Sequence, residues 1–372
     1  MSEELVRIIS DEIAASPLQA ITFRRYMELC LYHPQWGYYR RERIKIGREG
    51  DFYTSSFVGD LFGRVISNAI EDMRRFFLPH RRWMLVEVGA GDGRLMEQMI
   101  RGLREKGIDG NELMCCLVET SPYHRSLQKK RLMGSPYPVR WADRLSDLPG
   151  GIPAVIVSNE LVDAFPVHRI RLREGILREI YVTRRGDRLV EADGPLSTGD
   201  LEEYACRFGL QLEEDQQIEV NLDARNWLCK VGRWLETGFV ITIDYGGDTA
   251  EVSGPDRPEG TLRCFSKHQV HGDPFRAPGE EDITSDVNFE ALRVWGEEEG
   301  LKPLLYTTQG HWLVRNGIFD YLEDPQSPDP FSEEARRNRA VRQLIMPGGM
   351  GDVFKVLIQW KGKGEPKLRG MK

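Results

Sequence analysis

The sequence predicts an α/β fold built on a doubly wound, largely parallel sheet, with a helical N-terminal extension and inserted hairpin and helices. Three observations predict it. Short apolar runs at 84–88, 113–118, 153–158 and 238–243 alternate with segments of helical periodicity. The first run ends in Gly89-Ala90-Gly91-Asp92-Gly93 and leads directly into a helix-like segment from Arg94 to Arg104. Strand, glycine turn and helix in that order let backbone approach a nucleotide-like ligand without Cβ clashes. Finally, the runs stop at Gly89, Glu119, Asn159-Glu160 and Asp244. Ligands of such sheets sit beyond the carboxyl ends of the strands, where the strand order reverses.

The elements follow in order. Residues 3–15 and 22–32 read as helices broken at Pro17, with Ser16 or Thr22 as caps. An aromatic, glycine-rich stretch over 33–54 and a helix over about 58–77 complete an extension spanning 1–80. The core, 81–360, then runs strand 84–88, helix 94–104, strand 113–118, helix 122–132, a short strand near 138–141 and strand 153–158. Residues 167–192 alternate apolar and polar around turns at Glu174-Gly175 and Gly186-Asp187, which predicts an antiparallel hairpin. With helices at 199–208 and 223–236 it forms an insertion over about 167–236. After strand 238–243, the Gly/Pro-rich stretch 246–287 is too long for a connector and predicts a functional loop. A helix over 288–300 and the pieces 302–308, 332–345 and 352–360 supply two last strands and a helix. The basic tail 361–372 is expected to fray.

Composition removes several function classes. A formal charge of −7 over 372 residues argues against general nucleic-acid binding, which needs a net basic face. The local clusters Arg40-Arg41-Glu42-Arg43 and Arg336-Arg337-Asn338-Arg339 read as solvated faces. Six cysteines without C-x-x-C spacing exclude a zinc ribbon or disulfide framework and favour a reducing compartment. No apolar run approaches the roughly 18 residues of a membrane span. The acidic start, Met-Ser-Glu-Glu, is unlike a signal or transit peptide, so a cytoplasmic location is expected. His268 and His271 lack ligand-like neighbours, and no metal is expected. The apolar and aromatic content of the hairpin and loop is compatible with a homodimer and equally with core packing.

The glycine turn also discriminates between ligands. A dinucleotide fingerprint requires G-x-G-x-x-G, but here the third glycine, Gly93, comes one residue early and Arg94 takes its place. That disfavours a nicotinamide-dependent oxidoreductase. Glu87, two positions before the first glycine, suits a cation such as the ammonium of a methionine moiety. The pattern E-x-G-x-G-x-G is similar to motif I of Rossmann-like methyltransferases that use S-adenosylmethionine and release S-adenosylhomocysteine. Glu119, 26 residues beyond Gly93, is placed to accept both ribose hydroxyls. Its plainer role is a helix N-terminal acid ahead of Ser121-Pro122. Asp143 meets the adenine amino group or is an ordinary loop carboxylate.

Asn159-Glu160, with Asp163 one turn later, stand where such methyltransferases face the methyl group. An acceptor guanidinium stays protonated to above about pH 12, so a carboxylate must orient it and take a proton. The alternative is a helix cap or a pair with Arg169. Asp244 contacts substrate or orders the glycine turn behind it. The sulfonium is already activated, so alignment supplies much of the rate and binding residues should outnumber catalytic ones.

More idiosyncratic stretches accompany these strand ends. They are Tyr26-Met27 with His33-Pro34-x-x-Gly37-Tyr38-Tyr39, Gly50-Asp51-Phe52-x-Thr54-Ser55, and Phe62-Gly63. Further on come Asn159-Glu160-x-x-Asp163-Ala164-x-Pro166-Val167, Asp244-Tyr245-Gly246, Gly260-Thr261-Leu262-Arg263 with His268, and Asp282-Ile283-Thr284-x-x-Val287-x-Phe289. In order and spacing, over roughly 20–310, the chain resembles the MidA-like family of S-adenosylmethionine-dependent methyltransferases. That family includes the mitochondrial assembly factor for respiratory complex I. The resemblance implies a Rossmann-like class I methyltransferase core and a protein substrate methylated on arginine, as attributed to the mitochondrial member. It also implies that Gly89, Gly91, Gly93 and Glu119 hold the donor. Asp51, Thr54 and Ser55 would belong to a loop closing over it, while Asn159, Glu160, Arg263 and His268 face the acceptor. Read from residues alone, Gly47 and Gly50 form a turn and Asp51 or Thr54 caps the next helix. Without a presequence the chain resembles the bacterial members. The rival to an enzyme is an assembly chaperone that binds the donor or its product without catalysis.

Overall fold

The computed structural model describes residues 3–43, 45, 51, 55–77, 82–324 and 329–371. Two compact units result, and neither is continuous in sequence. One gathers Met1–Phe52, Val162–Trp227 and Gly246–Leu292; the other gathers Tyr53–Leu161, Leu228–Tyr245 and Arg293–Lys372. The linear split into 1–80 and 81–360 therefore does not follow the compact units, because the inserted segments join the N-terminal helices.

The second unit carries the sheet that the alternating runs predict. Among the described residues its main path is made of β1 (Trp83–Val88), β2 (Leu113–Val118), β3 (Val139–Ala142), β4 (Ala154–Asn159), β5 (Gly238–Gly247), β6 (Lys302–Thr308) and β7 (Phe354–Lys361), with a two-residue strand Val287–Asn288 paired to the end of β5. Their spatial order is β6-β7-β5-β4-β1-β2-β3. Strand β1 pairs in parallel with both β2 and β4, and β4 with β5. Strand β7 lies antiparallel between β5 and β6. From β1 the chain moves outward to β2 and β3, then crosses back to β4, so the order reverses between β1 and β4. All six residues of β1 are buried, as expected of a strand covered on both faces.

One face of this sheet packs Leu85, Val155, Val157, Ile241 and Ile243 against Leu61, Val65, Met96, Met99 and Leu103 of two helices, Leu61–Arg74 and Arg94–Glu105. Those helices approach closely because Gly102 has no side chain; a Cβ there would stand 2.1 Å from Ser67 Oγ. The tail expected to fray is packed instead. Leu368 is buried in the same core, and Arg369 N donates to Asp72 Oδ2 at 2.7 Å. Two apolar side chains among basic ones, Leu368 and Met371, escape a compositional reading, but their packing on the core holds the segment. Helix Gln309–Arg315, capped by the Thr308 hydroxyl, was also not expected; at two turns it is too short to show a period.

The first unit is built on helices Glu3–Ala15 and Phe23–Tyr32, with the Thr22 hydroxyl accepting from Arg25 N at 3.2 Å as an N-cap. The predicted hairpin is present as strands His168–Arg173, Ile176–Arg185 and Arg188–Gly194, turning at Glu174-Gly175 and Gly186-Asp187. Strand Ala20–Thr22 pairs with Ile176–Arg185, and Gln217–Val220 with His168–Arg173. The stretch 246–287 is not a plain loop. It holds a three-stranded sheet of Gln269–His271, Arg263–Ser266 and Asp282–Thr284. Strands of three or four residues between glycines and prolines carry no legible alternation.

Candidate functional site

The strand ends of the second unit converge on the crevice between β1 and β4. Gly89 (φ +70°), Gly91 (+51°) and Gly93 (+81°) are all left-handed, which residues with a Cβ adopt at a cost. Gly89 N donates to Val118 O at 3.0 Å, and Arg94 N is capped by Asp92 Oδ1 at 3.0 Å. The turn thus leaves a glycine-lined approach at the start of a helix, where N–H groups point outward.

Glu87 is buried, and burial with nearby Asp92 pushes its carboxyl well above the usual range. Its Oε2 is buried without a hydrogen-bond partner among the described residues. Glu87 is in register with Val157 of β4, so Asn159, two residues on, shares its face. Asn159 Nδ2 donates to Glu160 Oε1 at 2.9 Å, and Asn159 Oδ1 is a second buried acceptor lacking a partner among the described residues. Two orphaned acceptors beside a glycine cradle fit the methionine end of S-adenosylmethionine, whose ammonium is a triple donor.

Glu119, at the end of β2, serves first as the helix acid: its Oε1 accepts from Ser121 N at 2.8 Å. Its Oε2 lies 3.5 Å from Gln128 Nε2 and 3.6 Å from His124 Nδ1. Gln128 is not singled out by the sequence, where it precedes Lys129-Lys130-Arg131. It is fully buried, donating to Gly91 O at 2.8 Å and accepting from Trp141 Nε1 at 3.0 Å. Only the fold brings that helix turn against the glycines. Asp143 is an exposed carboxylate paired with Arg125 at 2.8 Å. Ser55 is buried with its hydroxyl on Gln309 Oε1 at 3.1 Å. Thr54, like Gly47, Gly50 and Phe52 of the expected closing loop, lies outside the described residues.

Glu160 itself is left-handed at φ +52°, a conformation that costs a non-glycine residue of order 1–3 kcal/mol unless its surroundings enforce it. Its N–H donates to Ile243 O at 2.9 Å. Asp244, expected either to contact substrate or to order the glycine turn behind it, has no exposed surface, and its carboxylate accepts from Leu161 N and Tyr245 N.

The other expected residues belong to the first unit. Asp51 is buried and accepts from Tyr38 Oη at 2.9 Å, Arg43 Nη2 at 2.9 Å and Lys267 N at 2.9 Å. His268 N donates to Asp51 O at 2.9 Å. Asp51 therefore anchors the hairpin turn Lys267-His268, both residues of which have positive φ. Arg263 pairs with Asp286, which also holds Arg257 at 2.7 Å. Asp163 is buried close enough to Asp282 that burial and this neighbour push the Asp282 carboxyl up to about 7. Tyr39 Oη donates to Asp282 Oδ1 at 2.8 Å. Among the described residues no helix is long and apolar enough to cross a membrane.

Comparison with known proteins agrees with this geometry. A family model described as "Putative S-adenosyl-L-methionine-dependent methyltransferase" matches residues 62–307. Over 99% of this chain and 94% of the other, the fold superposes with a TM-score of 0.89 on a COG1565 superfamily member from Burkholderia thailandensis bound to S-adenosyl-homocysteine, at 30% identity. A native structure of a COG1565 superfamily protein from the same organism gives 0.87 at 32% identity, with the same coverage. The protein arginine methyltransferase NDUFAF7 homolog of Drosophila melanogaster is 28% identical over 92% of this chain and 82% of its own length. Its Homo sapiens counterpart is 28% identical over 90% and 78%. With the class I methyltransferase sheet order and the glycine cradle at its switch point, the chain belongs to this family of S-adenosyl-L-methionine-dependent methyltransferases.

Proposed function

We propose that the protein transfers a methyl group from S-adenosylmethionine to an arginine nitrogen of a protein. The observation that carries the acceptor chemistry is Glu160, held left-handed at the end of β4 with Asn159 Nδ2 on its carboxylate. The relatives named as protein arginine methyltransferases support it.

In this reading Gly89, Gly91 and Gly93 admit the donor, and Glu87 with Asn159 Oδ1 receives its ammonium. Glu119 accepts the ribose hydroxyls while keeping Ser121 N, and Asp143 lies at the adenine rim. The bound donor supplies an electrophilic sulfonium methyl that needs no further activation. Glu160 accepts guanidinium N–H groups, aligning one nitrogen in line with the methyl group. As the C–N bond forms and the C–S bond breaks, Glu160 takes the proton that nitrogen loses.

The test is label transfer from methyl-labelled S-adenosylmethionine into a protein extract, followed by hydrolysis to amino acids. Label in methylarginine, lost in Glu160→Gln with S-adenosylhomocysteine affinity preserved, is the expected result. Label in lysine, nucleic acid or small molecules contradicts the acceptor assignment. No label anywhere from a folded, donor-binding protein identifies a non-catalytic binder.

A further inference from the structure

We infer that Asp244 is a positioning residue for methyl transfer, fixing the Glu160-Leu161 turn so that the end of β4 is set against the glycine turn of β1. The inference rests on the role of Glu160 proposed above. Two consecutive amides of the turn are held by β5. Glu160 N donates to Ile243 O at 2.9 Å, a main-chain carbonyl that any residue supplies. Leu161 N donates to Asp244 Oδ2 at 3.3 Å, an acceptor that depends on the side chain at this position. The other oxygen, Oδ1, accepts from Tyr245 N at 3.0 Å and so fixes the carboxylate plane.

Between these anchors sits the left-handed Glu160. Beyond them, Leu161 lays its Cδ1 over Gly89, 2.8 Å from where a Cβ on that glycine would stand. One buried carboxylate inside β5 therefore ties that strand to the ends of β4 and β1. Without it, Glu160 is free to relax to negative φ, which swings its carboxylate away and lifts Leu161 from the glycine turn. Misplacement of a reacting group by about 1 Å is enough to lower turnover on the order of 100-fold.

The experiment compares wild type, Asp244→Asn and Asp244→Ala by crystal structure and by steady-state methyl transfer. The expected result is negative φ at Glu160 in Asp244→Ala, with kcat lowered about 10–100-fold and the donor KM changed less than about threefold. Asp244→Asn, which keeps one acceptor oxygen, should fall between. Should the alanine variant not fold, the asparagine variant carries the same comparison. Glu160 still left-handed, with wild-type kcat, in the Ala or Asn variant overturns the inference, as does a rise in KM with kcat unchanged. If wild type transfers no methyl group, the function proposed above has failed, while the crystallographic φ still decides whether Asp244 holds the turn.

Discussion

Leu161 Cδ1 occupies the space that a Cβ on Gly89 would need, at 2.8 Å. The glycine turn after β1 and the turn that carries Glu160 are therefore interlocked, and Gly89 is required twice, for contact and for its φ of +70°. Gly89→Ala should weaken S-adenosylhomocysteine binding at least about tenfold, since a left-handed alanine alone costs about 1–2 kcal/mol. Adding Leu161→Ala removes the collision but not the strain, so calorimetry on the double variant should show only partial recovery. Full recovery would mean the clash, not the backbone, is what glycine avoids.

In the proposed donor site Glu87 exchanges stability for binding. Its buried carboxyl is already pushed up by desolvation and Asp92, so Glu87→Gln should melt no lower than wild type. Donor affinity should drop about 10–100-fold, the worth of a charge-assisted hydrogen bond of roughly 1.5–3 kcal/mol. Because the carboxyl is protonated more readily in the free protein than beside an ammonium, binding releases a proton and affinity should rise with pH. Unaltered affinity in the variant, or affinity falling with pH, would remove Glu87 from the donor site.

Asp282 gives the fold a pH signature. Its carboxyl is raised to about 7 in the folded chain by burial and by Asp163, against about 3.9 when unfolded. Between those values the folded state binds more protons, so stability falls as pH rises toward 7 and then levels off. The slope is at most about 1.4 kcal/mol per pH unit for one proton. Asp282→Asn should flatten this part of the stability profile in denaturant titrations from pH 5 to 8. A profile parallel to wild type would place the titration elsewhere.

The parallel strands were legible because each apolar run is short, bounded and followed by a helical period; β2 begins and ends where the runs predict. The glycine turn was legible because three glycines at fixed spacing between an apolar run and a helical period have few other uses. Gln128 and Leu161 were not, because their importance comes from burial against residues distant in sequence. Asp244 lies inside β5, which runs on to Gly247 instead of stopping there, and the acceptance of Leu161 N and Tyr245 N by its carboxylate has no signal in the sequence. The hairpin turns at Glu174-Gly175 and Gly186-Asp187 were readable from local chemistry. The sheet within 246–287 was not, since its strands are held by pairing across the segment and by Asp51.

The most direct measurement is calorimetric titration with S-adenosylhomocysteine of wild type beside Glu119→Ala, with melting curves to show that both are folded. The account predicts micromolar binding, on the order of −8 kcal/mol, that is lost in the variant. Absence of binding to folded wild type, or equal binding to both proteins, would contradict a donor site at the carboxyl ends of β1, β2 and β4.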